Sequence, residues 1–456
     1  MNNEMMKENK MGVMPVNKLL VTMSLPMIVS MLVQALYNVV DSVFVSMVSE
    51  NQLTAVSLAF PIQTLMIAFG TGTGVGVSAL LSRSLGEKDY EHANKTAKNG
   101  VFLAVLTYLL FLFVGILASS AFYHSQTNDP EILAAGISYI TICCTFSFGL
   151  FTQLIMEKLL QSTGKTIYSM VIQGVGAVIN LIFDPILIFG LCGVPAMGAK
   201  GAAIATVAGQ IIAGVLAIVL NVKKNHELSI NMKGFRPDKG MIGKIYAIGI
   251  PSIIMQAIGS IMTYGMNLIL ISFSSTATAV FGVYYKLQSF IFMPIFGLNN
   301  GMVPIIAYNY GAGKRKRMVK TIKLSMMYAV TIMAIGFAVF QLIPEKLLEL
   351  FSASETMLEI GVPALRTISY SFIFAGYCIV AGSVFQALGN AVYSLIVSVA
   401  RQMIVLLPAA YILSKIGGLA DVWYSFPLAE IASVVMSTLF MMLVYEKVIK
   451  NVPIED

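Results

Sequence analysis

Gln161-Ser-Thr-Gly164-Lys-Thr-Ile-Tyr168-Ser169 and Gln386-Ala-Leu-Gly389-Asn-Ala-Val-Tyr393-Ser394 share Gln, Gly, Tyr and Ser in the same places, 225 positions apart. The same spacing relates Pro26 to Pro251, Gly86 to Gly311 and Gly136 to Gly361, and no gap is needed from Pro26 to Ser169. Glycine and proline answer to backbone geometry, so their recurrence at equivalent places marks a duplicated frame rather than chance.

Composition says what kind of frame is duplicated. The 456 residues are 57% hydrophobic and only 11% charged, and mean hydropathy is +0.82. Soluble domains run nearer 25% charged, so a soluble enzyme and a disordered chain are both excluded. Apolar runs long enough for a bilayer lie near 19–49, 53–82, 100–122, 132–156, 166–191 and 198–222. A polar stretch follows, and six more runs lie near 245–273, 277–309, 321–343, 357–386, 391–413 and 422–445. Barrel strands alternate and are about ten residues long, so these runs are helices. The expectation is an all-α polytopic membrane protein with twelve transmembrane helices in two six-helix bundles. The N-lobe spans 1–223, a linker 224–244, and the C-lobe 245–456. Six helices per copy is even, so the copies are parallel repeats about an axis along the membrane normal, an architecture of transporters. The polar start runs into an apolar segment too long for a signal peptide, so the first helix is expected to be retained.

Orientation follows from Lys and Arg. With the N-terminus inside, 23 of the 29 basic residues fall in inner segments and three, Lys200, Lys346 and Lys415, in outer ones. The net charge of +7 is then a topological signal with attraction to anionic lipid, not a nucleic-acid footprint. Both termini are expected in the cytoplasm and the chain in the cell membrane. Four cysteines and three histidines show no metal spacing, so no metal centre and no cofactor are expected. There is no HExxH, G-x-S-x-G or P-loop, and no enzymatic role is expected. Gly70-Thr-Gly72-Thr-Gly74-Val-Gly76 lies in an apolar run without a lysine and reads as close helix packing.

Ionisable residues inside the membrane are costly and therefore candidates for function. Asp41, Asp184 and Glu430 are the acidic ones. Asp41 falls on Met266 in the second copy and Asp184 on Ala409. A carboxylate needed by the frame would recur in both copies, so the first copy is read as holding an ion site. Asn180 and Asp184 are four apart on one helix face, and Pro185 frees backbone carbonyls beside them. Gln34, Asn38 and Asp41 form a polar stripe flanked by Tyr37. Such a group can hold a proton, or Na⁺ at Asp41, Asn180 and Asp184. Glu430 reads as an ion-pair partner or a group near a cavity mouth. Lys286, Arg366 and Arg401 read as snorkelling or paired, and Glu157 with Lys158 as a solvated helix end.

The frame Pro26…Gln34-Ala-Leu-Tyr37-Asn38-Val-Val-Asp41 resembles the first helix of MATE (multidrug and toxic compound extrusion) transporters. Gly164…Asn180-Leu-Ile-Phe-Asp184-Pro185 resembles their fifth helix, and Gly198-Ala-Lys-Gly201-Ala-Ala-Ile-Ala-Thr206 their sixth. The likeness covers nearly the whole chain and is greatest to bacterial multidrug members of the MepA-like kind. It implies a MATE/MOP-type fold and an antiporter that exports aromatic, cationic drugs in exchange for H⁺ or Na⁺. Asp41, Asn180, Asp184 and Thr206 match the family's N-lobe cation site. Some branches use a Glu in the seventh helix; here Gln256 stands near that place and the helix has no acid, which counts against a C-lobe cation site.

By position, Tyr37, Tyr139, Met255, Met262 and Phe292, with Gln34, Asn38 and Gln256, are expected to line a substrate cavity. Methionine and aromatic rings suit planar, cationic ligands. The partners expected are small-molecule drugs or metabolites and membrane lipids, with no nucleic acid and a monomeric state. The competing reading is a lipid-linked oligosaccharide flippase of the same superfamily, whose groove needs several Arg or Lys; only Lys286, Arg366 and Arg401 lie within helices.

Overall fold

The computed structural model describes residues 8–351 and 353–453. Among them are helices and no strands. Ten helices are long and apolar enough to cross a membrane, and two further pairs do so only as bent spans, giving up to twelve. In chain order they are α1 Val16–Ser46, α2 Glu50–Gly86, α3 Tyr90–Leu117, α4 (Pro130–Thr145 and Phe148–Ser162), α5 Thr166–Phe189, α6 Ala199–Lys224, α7 Lys239–Ile271, α8 Ser275–Gly311, α9 Arg315–Leu342, α10 (Glu355–Ser369 and Phe372–Ala387), α11 Ala391–Ile416 and α12 Ser425–Lys447.

The repeat is visible in how helices begin and break. Ser49 caps α2 by accepting from Gln52 N at 3.1 Å, and Ser274, 225 residues on, caps α8 by accepting from Ala277 N at 3.0 Å. The bends in α4 and α10, 45° and 49°, fall at nearly equivalent places. At each, a serine hydroxyl donates to the carbonyl three residues back: Ser147 Oγ to Cys144 O and Ser371 Oγ to Ile368 O, both 2.7 Å. Such back-bonding draws a carbonyl out of the helical ladder and bends the helix. In α11 a π-helical turn, Ala400–Leu406, interrupts the α geometry.

Two compact units result, comprising 8–10 with Val29–Ile253, and Met11–Ile28 with Ile254–453. The lobes expected from the sequence are 1–223 and 245–456. Residues 11–28 and 245–253 group otherwise: the first half of α1 packs with the second unit, and the first half of α7 with the first. Glycines explain both dockings. A Cβ on Gly76 of α2 would lie 2.2 Å from Ile245 O, and one on Gly72 2.5 Å from Ile253 Cγ1. Their repeat counterparts on α8 do the same for α1: a Cβ on Gly301 would lie 2.4 Å from Ser24 Oγ, and one on Gly297 2.5 Å from Ile28 Cα. The glycine run is thus a packing face, as its composition indicates.

The first unit's interior gathers Phe111, Tyr123, Tyr139 and Phe151 with Cys143 and Cys144. Tyr123 OH donates to Ala55 O at 2.7 Å, so the buried phenol is satisfied. The second unit buries Trp423, Phe281, Phe340, Phe372 and Phe385, with Phe340 edge-on to Phe372 at 5.0 Å. Large apolar side chains such as Phe60, Phe113, Leu117 and Val222 stay exposed. In water that would be a liability; against hydrocarbon it is the stable arrangement.

Candidate functional site

Inside the first unit, α5 and α6 run as a hairpin whose backbones nearly touch: a Cβ on Gly201 would lie 2.5 Å from Leu187 O. That approach carries Thr206 of α6 to the face of α5 that holds Asn180 and Asp184. With its nitrogen toward the carboxylate, the Asn180 amide donates to Asp184 Oδ2 at 3.2 Å and accepts from Thr206 Oγ1 at 3.3 Å. Asp184 is fully buried. Pro185, the next residue, has no N–H, so Leu181 O loses its helical partner on the same turn.

The second half of α1 brings Asp41 to this group. The carboxyls of Asp41 and Asp184 lie within hydrogen-bonding reach of each other. Asp41 Oδ1 is buried and has no hydrogen-bond partner. Tyr37 stands one turn before Asp41 on the same helix. Two carboxylates this near, Asp184 buried and Asp41 partly so, repel unless something positive lies between them. One shared proton turns the repulsion into an O–H···O⁻ bond, and a small cation would serve the same end.

Asp41, Asn180, Asp184 and Thr206, the four residues expected to form a cation site, therefore lie within one unit. The residues expected to line a cavity differ in exposure. Tyr37 and Gln34 are half-buried and Asn38 is exposed. Tyr139 is buried, its hydroxyl accepting from Gln63 Nε2 at 2.9 Å, and Met262 is also buried. Met255 Sδ lies 3.8 Å from Gln386 Nε2, Gln256 is exposed, and Phe292 sits edge-on to Phe372 at 5.5 Å.

The other intramembrane charges resolve differently. Arg401 Nη1 donates to Glu430 Oε2 at 3.3 Å, where the π turn of α11 meets α12. Glu430 is thus half of an ion pair. Lys286 is exposed and lies over the Phe351 ring at 5.9 Å, and Arg366 is exposed. Glu157 corrects the expectation of a solvated helix end. It is 2% exposed, and both its oxygens are taken by amides, Gln153 Nε2 at 2.9 Å and Gln173 Nε2 at 2.6 Å. A residue beside a short loop reads as exposed in the sequence; α5 folding back over α4 covers it. The glutamines at 153 and 173 were the signal that could have found it.

The profile of the MatE family matches residues 26–186 and then 251–412, two stretches whose starts are again 225 apart. The chain belongs to the MatE family. It is similar to the multidrug export protein MepA of Staphylococcus haemolyticus (strain JCSC1435), 29% identical over 431 residues, which is 94% of this chain and 93% of that one. MepA of Staphylococcus aureus (strain MRSA252) is 27% identical over 419 residues, 91% of each chain. Among solved structures, an outward-facing multidrug resistance MATE family transporter of the MOP superfamily superposes with a TM-score of 0.91 at 24% identity, covering 98% of this chain and 99% of that one. A MATE in the bent conformation superposes at 0.87 and 23% identity, covering 96% of each chain. The fold is that of the MATE transporters, and a MatE member is a membrane transporter, not an enzyme.

Proposed function

We propose that this MatE protein is a secondary active multidrug efflux antiporter. It exports aromatic, cationic drugs in exchange for H⁺, with Na⁺ as the alternative ion, by alternating access of its two lobes. The observation that carries this reading is the contact of Asp41 with Asp184 in a unit whose repeat counterpart has Met266 and Ala409 at those places. An unpartnered carboxylate oxygen beside a second carboxyl is a poor structural device and a good receptor for one positive charge. The multidrug export proteins similar to this chain support the cargo class. With the ion bound, the charge and hydrogen bonding around Asp41 change, and α1, which carries Pro26 within it, transmits the change along its length. Coupling then requires only that ion and drug favour different states.

In this reading the protein sits in the cell membrane as a monomer with both termini cytoplasmic, and needs no cofactor. The flippase reading gains no support: of its three intramembrane basic residues, Arg401 is held by Glu430. The test is ethidium transport in proteoliposomes, with the pH and Na⁺ gradients imposed separately. Wild type is expected to move ethidium on one gradient only. Asp184→Asn should lower gradient-driven transport at least a hundredfold while still inserting. Full transport by Asp184→Asn, or no transport of any aromatic cation by wild type, overturns the proposal.

A further inference from the structure

Glu157 is a buried carboxylate that the coupling site does not use. Its two oxygens each accept one amide N–H, from Gln153 of the same helix and from Gln173 of α5. The ionised form is thereby satisfied. The protonated form is provided for as well. Gln173 Oε1 is buried with no partner, and rotating that amide by half a turn sets this oxygen against Glu157 Oε2, where it can accept an O–H. One side chain thus serves both protonation states, as donor to the carboxylate or acceptor from the acid.

The repeat shows that the frame does not need this carboxylate. Glu157 falls on Gly382, Gln153 on Cys378 and Gln173 on Ser398. Yet the local backbone device recurs: Ser169 Oγ donates to Glu157 O at 3.3 Å, and Ser394 Oγ to Gly382 O at 2.7 Å. The second copy keeps the clamp without the acid or its amides. The acid belongs only to the unit that holds Asp41 and Asp184.

Position links the two groups. On α5, Gln173, Asn180 and Asp184 are spaced by seven and four and share one face. Between Gln173 and Asn180 that face carries only Gly176 and Ala177, over about 10 Å of helix. Glu157 therefore lies between the carboxyl pair and the loop 163–165. The groups facing it are few. Lys158, the next residue, is the charged one, and its Nζ donates to Gln161 Oε1 at 3.0 Å. From α5 come uncharged Gln173 and Ser169, and the side chains bonded at neighbouring positions of α4 are also uncharged: Asn221 of α6 at Met156 O, 2.9 Å, and Ser78 and Ser82 of α2 at Ser162.

We infer that Glu157 is a second proton-holding group of the transport cycle, passing protons between the Asp41–Asp184 pair and the aqueous side at the loop 163–165. The inference rests on the proton-coupled reading above. A proton leaving the carboxyl pair, carried by water past Gly176 and Ala177 as hydronium, bonds to Glu157 Oε2, the Gln173 amide turns to accept from that O–H, and loss of the proton to water restores the two-amide cage.

The test is ethidium-driven proton flux in proteoliposomes loaded with a pH-sensitive dye, with ethidium affinity and melting temperature measured on the same preparations. Glu157→Gln is expected to keep ethidium affinity within twofold of wild type and the melting temperature at the wild-type value, and to lower proton flux at least tenfold. Glu157→Asp should restore half of the flux or more, with a shifted pH profile. Gln173→Leu, which keeps the acid and removes the turning amide, should also slow the flux. A purely structural role predicts instead that affinity and melting temperature fall together with flux. Wild-type flux and pH profile in Glu157→Gln overturn the inference alone. Absence of ethidium-driven proton flux in wild type overturns proton coupling, and the inference with it.

Discussion

Asp238 closes the stretch between α6 and α7 with three bonds. Its N–H donates to Asn99 Oδ1 at 3.0 Å, its Oδ1 accepts from Met241 N at 3.0 Å, and its Oδ2 pairs with Lys95. The Lys95 ammonium first, and the Met241 N–H second, hold the Asp238 carboxyl at about 2 against an ordinary 3.8. A lowered carboxyl stabilises the fold above the ordinary value, and this is lost as pH falls through the folded one. The tie is therefore complete above about pH 4 and fails between there and pH 2. Melting temperature in detergent, followed from pH 5 downward, should fall more steeply for wild type than for Asp238→Asn; equal slopes would sink this account. Single residues were also where the sequence was most and least legible. Asp41 and Asp184 stand out because charge is scarce and the repeat supplies a control. Glu157 was misread because sequence distance to a loop says nothing of which helix folds back over it.

At the scale of elements, helix positions were readable because a bilayer demands long apolar runs. The bends of α4 and α10 were not, since a back-bonding serine inside an apolar run looks like any other serine in the sequence. Glycine-lined docking was partly readable: the run 70–76 announces close packing, but not the partner. Gly76→Val and Gly301→Val should each cost about 1–3 kcal/mol, toward the upper end because the atoms met are Ile245 O in one case and Ser24 backbone and hydroxyl in the other. Gly174→Ala is the control, with open space where its Cβ would go, and should leave stability unchanged or raise it by up to about 1 kcal/mol. Thermal unfolding in detergent measures all three, and a Gly76→Val protein as stable as the Gly174→Ala control would remove the packing explanation.

For the whole molecule, the repeat made the fold class readable and the distribution of basic residues makes orientation an expectation, because both are properties of the chain summed over many residues. Orientation has a direct check. Cys192 is exposed in the turn after α5, while Cys143, Cys144 and Cys378 are buried. A membrane-impermeant maleimide added to intact cells should label the protein, and Cys192→Ser should abolish the labelling; labelling only after permeabilisation would invert the topology. The grouping of α1 and α7 by halves lay beyond the sequence, since apolar pattern does not record which neighbour a face meets. It bears on ancestry. Each glycine face on α2 and α8 is filled by a segment that the duplication places in the other copy. A single-copy ancestor could close that face only by trading its first helix with a second molecule. The fused gene turns that exchange between subunits into a covalent one, so neither present-day half is a finished protein without the other.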